Sequence, residues 1–114
     1  MKLPDGENAE IPRGKILNYL LSRSHPVGSA KARYFASRGY RVEAPAILER
    51  DLRVVAAEGT LESTEETAWG TKYVVVGSLV APDGDPLKLA TVWMRRAEDR
   101  PVLVTAYPWR RKER

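Results

Sequence analysis

The pattern of apolar residues in this chain changes its period once, at Gly59. Before that glycine, apolar residues recur every three or four positions, which predicts three amphipathic helices over about 12–21, 24–38 and 45–59. After it, β-branched and aromatic residues dominate four segments, at 60–67, 71–80, 87–96 and 101–107. These segments predict strands, because such side chains fill a pleated, half-buried surface well.

Turn residues separate the predicted elements and decide how they connect. Pro45 suits the first position of the third helix, and Gly39 suits the end of the second. The sequence Pro-Asp-Gly-Asp at 82–85 supplies the positive φ of a tight hairpin turn. Because all the connections between strands are short, neighbouring strands should be antiparallel. The sequence therefore predicts an α+β fold, with three N-terminal helices on one face of a four-stranded antiparallel meander sheet.

Size and composition limit the class of protein. The 114 residues suffice for one core. We expect an N-terminal arm at 1–11, a single α+β domain at 12–108 and a basic C-terminal tail at 109–114. The chain has no cysteine, one histidine, no Gly-rich phosphate loop and no apolar run long enough to cross a membrane. These features predict a cytoplasmic protein without cofactor, metal or membrane contact.

Charges are segregated along the chain. Residues 11–42 contain seven lysines and arginines and no Asp or Glu, whereas residues 43–66 contain seven carboxylates against two arginines. A surface of one sign is typical of proteins that bind an anion. The basic half therefore indicates RNA, or an acidic partner protein, as the ligand. A homodimer that pairs the basic half of one copy with the acidic segment of another is a further alternative.

Alternation along the last two strands divides their side chains into two sets. The aliphatic set consists of Ala90, Val92, Met94, Val102, Val104 and Ala106. The mixed set consists of Leu89, Thr91, Trp93, Arg95, Leu103, Thr105 and Tyr107. We expect the aliphatic set to pack under the helices and the mixed set to line an open cleft, where bases stack on aromatic rings and phosphates pair with Arg. The alternative is that Trp93 and Tyr107 belong to a second small core.

Several segments together resemble a family of small uncharacterised prokaryotic domains. They are LPDGENAEIP, SHPVGSAKARYFASRGY, WGTKYVV, TVWM and RPVLVTAYP, and they extend over nearly the whole chain. This resemblance implies no activity. The order of elements and the closing Thr-x-Tyr-Pro strand are also similar, more loosely, to the barnase–EndoU–colicin–RelE group of metal-independent ribonuclease toxins. That similarity implies a site built around the sheet from His, Lys, Arg, Thr or Tyr side chains.

Metal-free cleavage of RNA needs a base, a cation that stabilises the phosphorane and an acid for the leaving oxygen. His25 is the only side chain whose unperturbed pKa lies near neutrality. The expected catalytic residues are His25, Lys31, Arg95 and Tyr107, and the expected nucleic-acid-binding residues are Arg33, Arg38, Thr91, Trp93 and Thr105. Ordinary roles remain open for several of them: a helix start for His25, a solvated helix face for Lys31 and Arg33, an ion pair with Glu98 or Asp99 for Arg95, and a strand end for Tyr107.

Taken together, these features predict a small cytosolic toxin-like domain that acts on RNA as a metal-independent endoribonuclease. Such a domain is expected to need an acidic cognate antitoxin or immunity protein that covers the basic surface. The alternative function is a non-catalytic module that binds nucleic acid or protein, as the partner half of a toxin–antitoxin-like complex.

Overall fold

Helical segments occupy the first half of the chain. A 3-10 turn spans Gly6–Asn8, helix α1 spans Arg13–Lys15 and continues as a π-helix over Ile16–Leu20, helix α2 spans Ser29–Ser37 and helix α3 spans Pro45–Glu58. The computed structural model describes residues 1–22 and 29–109. The predicted start of the second helix, at Ser24, His25 and Pro26, and the end of the basic tail lie outside the described residues.

The helix boundaries follow from the punctuating residues. Pro45 occupies the first turn of α3, where its missing N–H leaves no helical hydrogen bond unmade. Gly39 follows α2 with a φ of 95°, a conformation that favours glycine. A Cβ atom at Gly39 would lie 2.8 Å from the backbone nitrogen of Asp83, so this glycine also lets a hairpin approach the end of the helix.

The second half of the chain forms one antiparallel sheet. Its strands are β1 at Thr60–Thr67, β2 at Gly70–Val80, β3 at Pro86–Arg95 and β4 at Val102–Pro108. They lie in the order β1-β2-β3-β4, and each pairs antiparallel with the next. The predicted α+β architecture, three helices followed by a four-stranded antiparallel meander, is confirmed. Strand β1 is an edge strand, as its exposed carboxylates predict.

Helix α3 packs against the middle of the sheet. Gly77 of β2 lies opposite Leu89 of β3, and a Cβ atom added there would lie 2.8 Å from Cγ2 of Val55. The absence of a side chain at Gly77 thus lets α3 sit close to the strands. The core between them contains helix residues Phe35, Leu48, Leu52 and Val55 and sheet residues Tyr73, Val75, Leu89, Trp93 and Leu103.

On strand β3, this packing reverses the expected assignment of the sheet faces. Thr91 and Trp93 are both 0% exposed and lie under the helices. The indole N–H of Trp93 donates to Thr91 Oγ1 at 2.7 Å, and the Thr91 hydroxyl donates to the carbonyl of Val75 at 2.9 Å. The prediction that Thr91 and Trp93 bind nucleic acid on an open face is therefore wrong, because the hydroxyl satisfies a buried indole and both side chains are sealed from ligand.

The first eleven residues, expected to form an arm, contribute to the core. Leu3, Ala9 and Ile11 are buried with the helix and sheet residues. The carbonyl of Met1 accepts the N–H of Leu61 at 2.8 Å, and the N–H of Glu10 donates to the carbonyl of Pro101 at 2.7 Å. The segment therefore runs from one edge strand of the sheet to the other. Within the described ranges, no helix is both long and apolar enough to cross a membrane.

Candidate functional site

Strand β4 changes faces part-way along its length. Trp93 pairs with Leu103, whereas Val92, the residue before it, pairs with Thr105, so β4 carries one extra residue at this point. Paired residues point to the same side of a sheet, and one inserted residue reverses the alternation that follows it. Thr105 and Tyr107 therefore lie on the side opposite Leu103. The expectation that all three share one face is wrong because of this bulge.

A hydrogen bond joins the π-helix to β4. The Tyr19 hydroxyl lies 3.2 Å from Thr105 Oγ1, across 86 positions of the chain. The i-to-i+5 bond from the N–H of Leu21 to the carbonyl of Ile16, at 2.9 Å, closes the π-helical segment that carries Tyr19. Such segments are rare and often occur at functional sites. Beside this bond, Lys15 Nζ lies 5.4 Å from the centre of the Tyr19 ring.

A second contact joins helix α2 to the same strand. Lys31 Nζ lies 5.7 Å from the centre of the Tyr107 ring. Thr105 and Tyr107 are two residues apart on β4, so their Cα atoms are about 7 Å apart on one side of the strand. The two contacts therefore lie side by side. Together they gather three hydroxyl groups, of Tyr19, Thr105 and Tyr107, near the ammonium groups of Lys15 and Lys31.

An open groove runs beside this cluster. Its volume is about 690 Å³, and its walls include Lys15, Asn18, Tyr19 and Thr105. Most of the groove's lining is apolar and includes Pro12, Gly14 and Val104, and its side-chain polar groups are hydroxyl, amide and ammonium groups without a carboxylate. A ligand in this groove would therefore meet apolar surface together with one positive charge, that of Lys15. Among residues 1–22 and 29–109, no group of three or more His, Asp or Glu side chains could hold a metal ion.

One family model matches the chain over residues 2–110. The chain belongs to DUF6883, a family described as a domain of unknown function. The expected membership in a family of uncharacterised domains is confirmed. Among curated proteins, no sequence matches this DUF6883 domain significantly.

The fold is similar to that of a solved structure. It is described as a contact-dependent growth inhibition toxin–immunity protein complex from Klebsiella pneumoniae 342. The superposition has a TM-score of 0.69 at 11% sequence identity, and it covers 87% of the DUF6883 domain and 98% of the other chain. At this identity the likeness establishes a shared fold.

The residues predicted to form the site separate into two groups. Lys31, Thr105 and Tyr107 are brought together, as described above. Arg95 is not with them: its Nε donates to the carbonyl of Asp99 at 2.6 Å, in the turn after β3. Ala90 lies opposite Tyr107, and Arg95 lies five residues further along β3, about 17 Å away. Arg95 therefore lies at the other end of the sheet, where it holds a turn.

Arg33 of helix α2 and Arg38, which directly follows the helix, also lie away from the groove. Arg33 is exposed and follows Lys31 by two positions, which places it on a different side of the helix. Arg38 donates from Nε to Asp83 Oδ2 at 2.8 Å and from Nη2 to the carbonyls of Asp85 and Pro86 at 3.2 and 2.9 Å. Its guanidinium joins α2 to the β2–β3 hairpin. The expected nucleic-acid role of Arg38 is therefore not supported, because its donors are already used.

The ion pair between Arg38 and Asp83 shifts the pKa values of both side chains. The hydrogen bond from Arg38, assisted by the N–H of Asp85, lowers the pKa of Asp83 below its usual value. The hydrogen bonds to Asp83 and to the Tyr34 hydroxyl raise the pKa of Arg38 in turn. Both groups therefore stay charged across the physiological pH range, as a structural pair requires.

A second structural pair, which the sequence analysis did not predict, joins Tyr40 to Asp51 of helix α3. Asp51 of α3 is buried, and it accepts a hydrogen bond from the Tyr40 hydroxyl at 2.7 Å. Burial and then the bond to Asp51 raise the pKa of Tyr40 well above its usual value. This pair fastens the chain after α2 to α3, and it lies outside the groove of Lys15 and Tyr19.

His25 belongs to the connection between the two contacts. That connection runs from Ser22, after the π-helix that carries Tyr19, to Ser29, where the helix that carries Lys31 begins. His25 itself lies outside the described residues.

The sequence analysis did not predict the role of Tyr19. Lys15 and Tyr19 are four positions apart, the spacing of neighbours on a helix face, so their cation–aromatic contact could have been noticed. The bond from Tyr19 to Thr105 had no such local signal.

Proposed function

We propose that this domain is a metal-independent ribonuclease of the toxin type, acting where the π-helix and α2 meet β4. The observation that carries the proposal is the pair of adjacent contacts, Tyr19 with Thr105 and Lys31 with Tyr107. Elements far apart in the sequence bring hydroxyl and ammonium groups to one place beside an open groove. The basic stretch that supplies Lys15 and Lys31 contains no carboxylate, which favours a polyanionic substrate.

The chemistry is a transesterification within RNA. A base removes the proton of a ribose 2′-hydroxyl, whose oxygen attacks the adjacent phosphorus. The bond from phosphorus to the 5′-oxygen then breaks, and an acid protonates that oxygen. The products are a 2′,3′-cyclic phosphate and a free 5′-hydroxyl. The step therefore consumes no water, and its bonds balance without a metal ion. The attacked phosphate gains charge in the transition state, where a fixed cation stabilises it most.

The side chains of the site divide these roles. Lys31 is the cation for the developing phosphorane charge, and the hydroxyl of Tyr107, whose ring Lys31 contacts, donates to the phosphate or to the leaving oxygen. Tyr19 and Thr105 hold each other by their hydrogen bond and orient a phosphate oxygen or the 2′-hydroxyl. His25, on the connection between these elements, is the proposed base, since imidazole exchanges a proton near neutral pH.

A cognate inhibitor follows from the same proposal. The structural neighbour is described as a toxin–immunity protein complex, and a toxin that cleaves host RNA needs a protein that masks its site. Lys15 and Lys31 supply positive charge beside the Tyr19 and Tyr107 rings, so the fitting partner is acidic. We therefore propose an acidic antitoxin or immunity protein that covers Lys15, Lys31 and Tyr107.

Incubating the purified domain with total RNA in EDTA tests the proposed activity. We expect cleavage in EDTA that falls about 100-fold or more in Lys31→Gln and His25→Ala, and at least about tenfold in Tyr107→Phe. Arg33→Gln is the matched control, because it removes an exposed cation from the same helix on another side. Circular dichroism and urea denaturation check that each variant is folded. Intact RNA at every pH from 5 to 9 would overturn the ribonuclease proposal.

A non-catalytic partner-binding module is the second candidate, and one surface favours it. The β1 edge exposes Glu62, Glu65 and Glu66, and the turn after it exposes 69% of Trp69. Exposed tryptophans are common anchors of protein interfaces. The two functions differ in the cell: a ribonuclease should arrest growth when expressed alone, whereas a partner-binding half should not. Harmless expression together with intact RNA would favour the second candidate.

A further inference from the structure

The chain beyond β4 adds an aromatic residue to the groove's side of the sheet. The N–H of Trp109 donates to the carbonyl of Lys88 at 2.8 Å, which continues the pairing of β4 with β3 past Pro108. Sequence reasoning assigned Trp109 to the basic tail. Its pairing instead holds Trp109 opposite Lys88, two residues after Tyr107, so both aromatic residues point to the same side of the sheet.

The surroundings of these two rings suit a nucleobase. The Cα atoms of Tyr107 and Trp109 are about 7 Å apart. This is close to twice the ~3.4 Å spacing of stacked bases, so the separation suits one base between the two rings. The Tyr107 side chain is partly exposed, so a ligand can reach it. Trp109 is partly exposed, and Lys88 is exposed next to it. Lys31 supplies a second cation, on the Tyr107 ring.

We infer that Trp109 and Lys88 form a binding subsite for single-stranded RNA. One base stacks between Trp109 and Tyr107, and Lys88 pairs with the phosphate that follows it. The inference rests on the proposed ribonuclease site and extends it. It specifies that the substrate is single-stranded, and that the RNA strand runs from Lys31 towards Trp109 and Lys88. Duplex RNA does not fit, since its bases are already stacked on one another.

Binding, measured apart from cleavage, tests this subsite. The probe is a fluorescein-labelled RNA of about ten nucleotides in which every 2′-hydroxyl is methylated, so that it cannot react. In fluorescence anisotropy, Trp109→Ala should raise the dissociation constant for this RNA by about 5- to 150-fold. Trp69→Ala, which removes an exposed tryptophan at the opposite end of the sheet, should leave the constant unchanged. Lys88→Gln should lower the slope of log K against log salt by about 0.7.

A second measurement leaves Trp109 in place, in case its replacement unfolds the domain. In Trp69→Phe, the remaining tryptophans are the buried Trp93 and Trp109. Addition of the methylated RNA should quench the emission of Trp109, and an annealed duplex of the same sequence should quench it less. Unchanged emission, or Trp109→Ala that binds like the parent protein, would overturn the subsite. Those results are independent of cleavage: RNA that binds through Trp109 but is never cut would overturn the proposed function alone.

Discussion

Single residues in this protein divide sharply into those that hold the core and those that reach the groove. Thr91 and Trp93 have the chemistry of an RNA-binding face, yet their hydrogen bond is entirely internal. The buried indole N–H needs an acceptor, and the hydroxyl of Thr91 supplies it while donating its own hydrogen bond to the carbonyl of Val75. Thr105, which pairs with Val92 next to Trp93, has the same hydroxyl but bonds Tyr19 at the groove. Residue type alone therefore did not reveal the role of either threonine.

Replacing Thr91 tests its structural role. Thr91→Val keeps the shape but leaves the Trp93 N–H without an acceptor, so we expect the free energy of unfolding to fall by about 1–3 kcal/mol. Thr91→Ser keeps the hydroxyl and should retain most of that energy. Urea denaturation at pH 7 measures both. Equal stability of Thr91→Val and the parent protein would mean that the indole finds another acceptor.

Secondary-structure elements are fastened to one another by a few polar clamps. Arg38 ties the end of α2 to the β2–β3 hairpin with a guanidinium that reaches Asp83 and two carbonyls. The side chains of Arg38 and Asp83 are 20% and 26% exposed, so solvent screens this pair only in part. Arg41 and Glu43 also form an ion pair, but both side chains are at least 70% exposed. Such exposed pairs contribute little.

Acid should weaken the clamp at Asp83. Its pKa is lowered in the folded state, so the unfolded chain binds a proton more readily and the stabilisation is lost as pH falls below about 4. Arg38→Gln removes the cause of the lowered pKa. We therefore expect this variant to be less stable than the parent at pH 7 and to lose less additional stability between pH 5 and pH 2.5. Urea midpoints across this range measure the effect, and Arg41→Gln, which should follow the parent, is the control.

The whole molecule is closed by its N-terminal segment. Residues 1–11 cross from β1 to β4, and a Cβ atom at Gly6 would overlap the carbonyl of Ala56 on α3. Leu3 is 4% exposed within the core. The same chain that closes the core then leads into α1 and the π-helix, so it also positions Tyr19 relative to Thr105. Stability and the geometry of the groove are linked at this scale.

Truncating Leu3 tests whether the segment is part of the core. Leu3→Ala should lower the free energy of unfolding by about 2 kcal/mol, at the lower end for a buried leucine because a terminal segment can relax. Val54→Ala removes an aliphatic side chain that is 45% exposed on α3, and its effect should stay within about 0.5 kcal/mol. Thermal denaturation compares the two. Similar losses for both variants would place residues 1–11 outside the cooperative unit.

The order of the main helices and strands could be predicted from local signals, namely the helix and strand periods together with Pro45, Gly39 and the 82–85 turn, whereas the π-helical geometry of Ile16–Leu20 could not. Which sheet face is buried depends on tertiary packing. Alternation sorts side chains into two sets but does not say which set meets the helices, and the bulge in β4 moved Thr105 and Tyr107 out of the set that contains Leu103. The contact of Tyr19 with Thr105, across 86 positions, depends on how the helices pack onto the sheet, which no local pattern encodes.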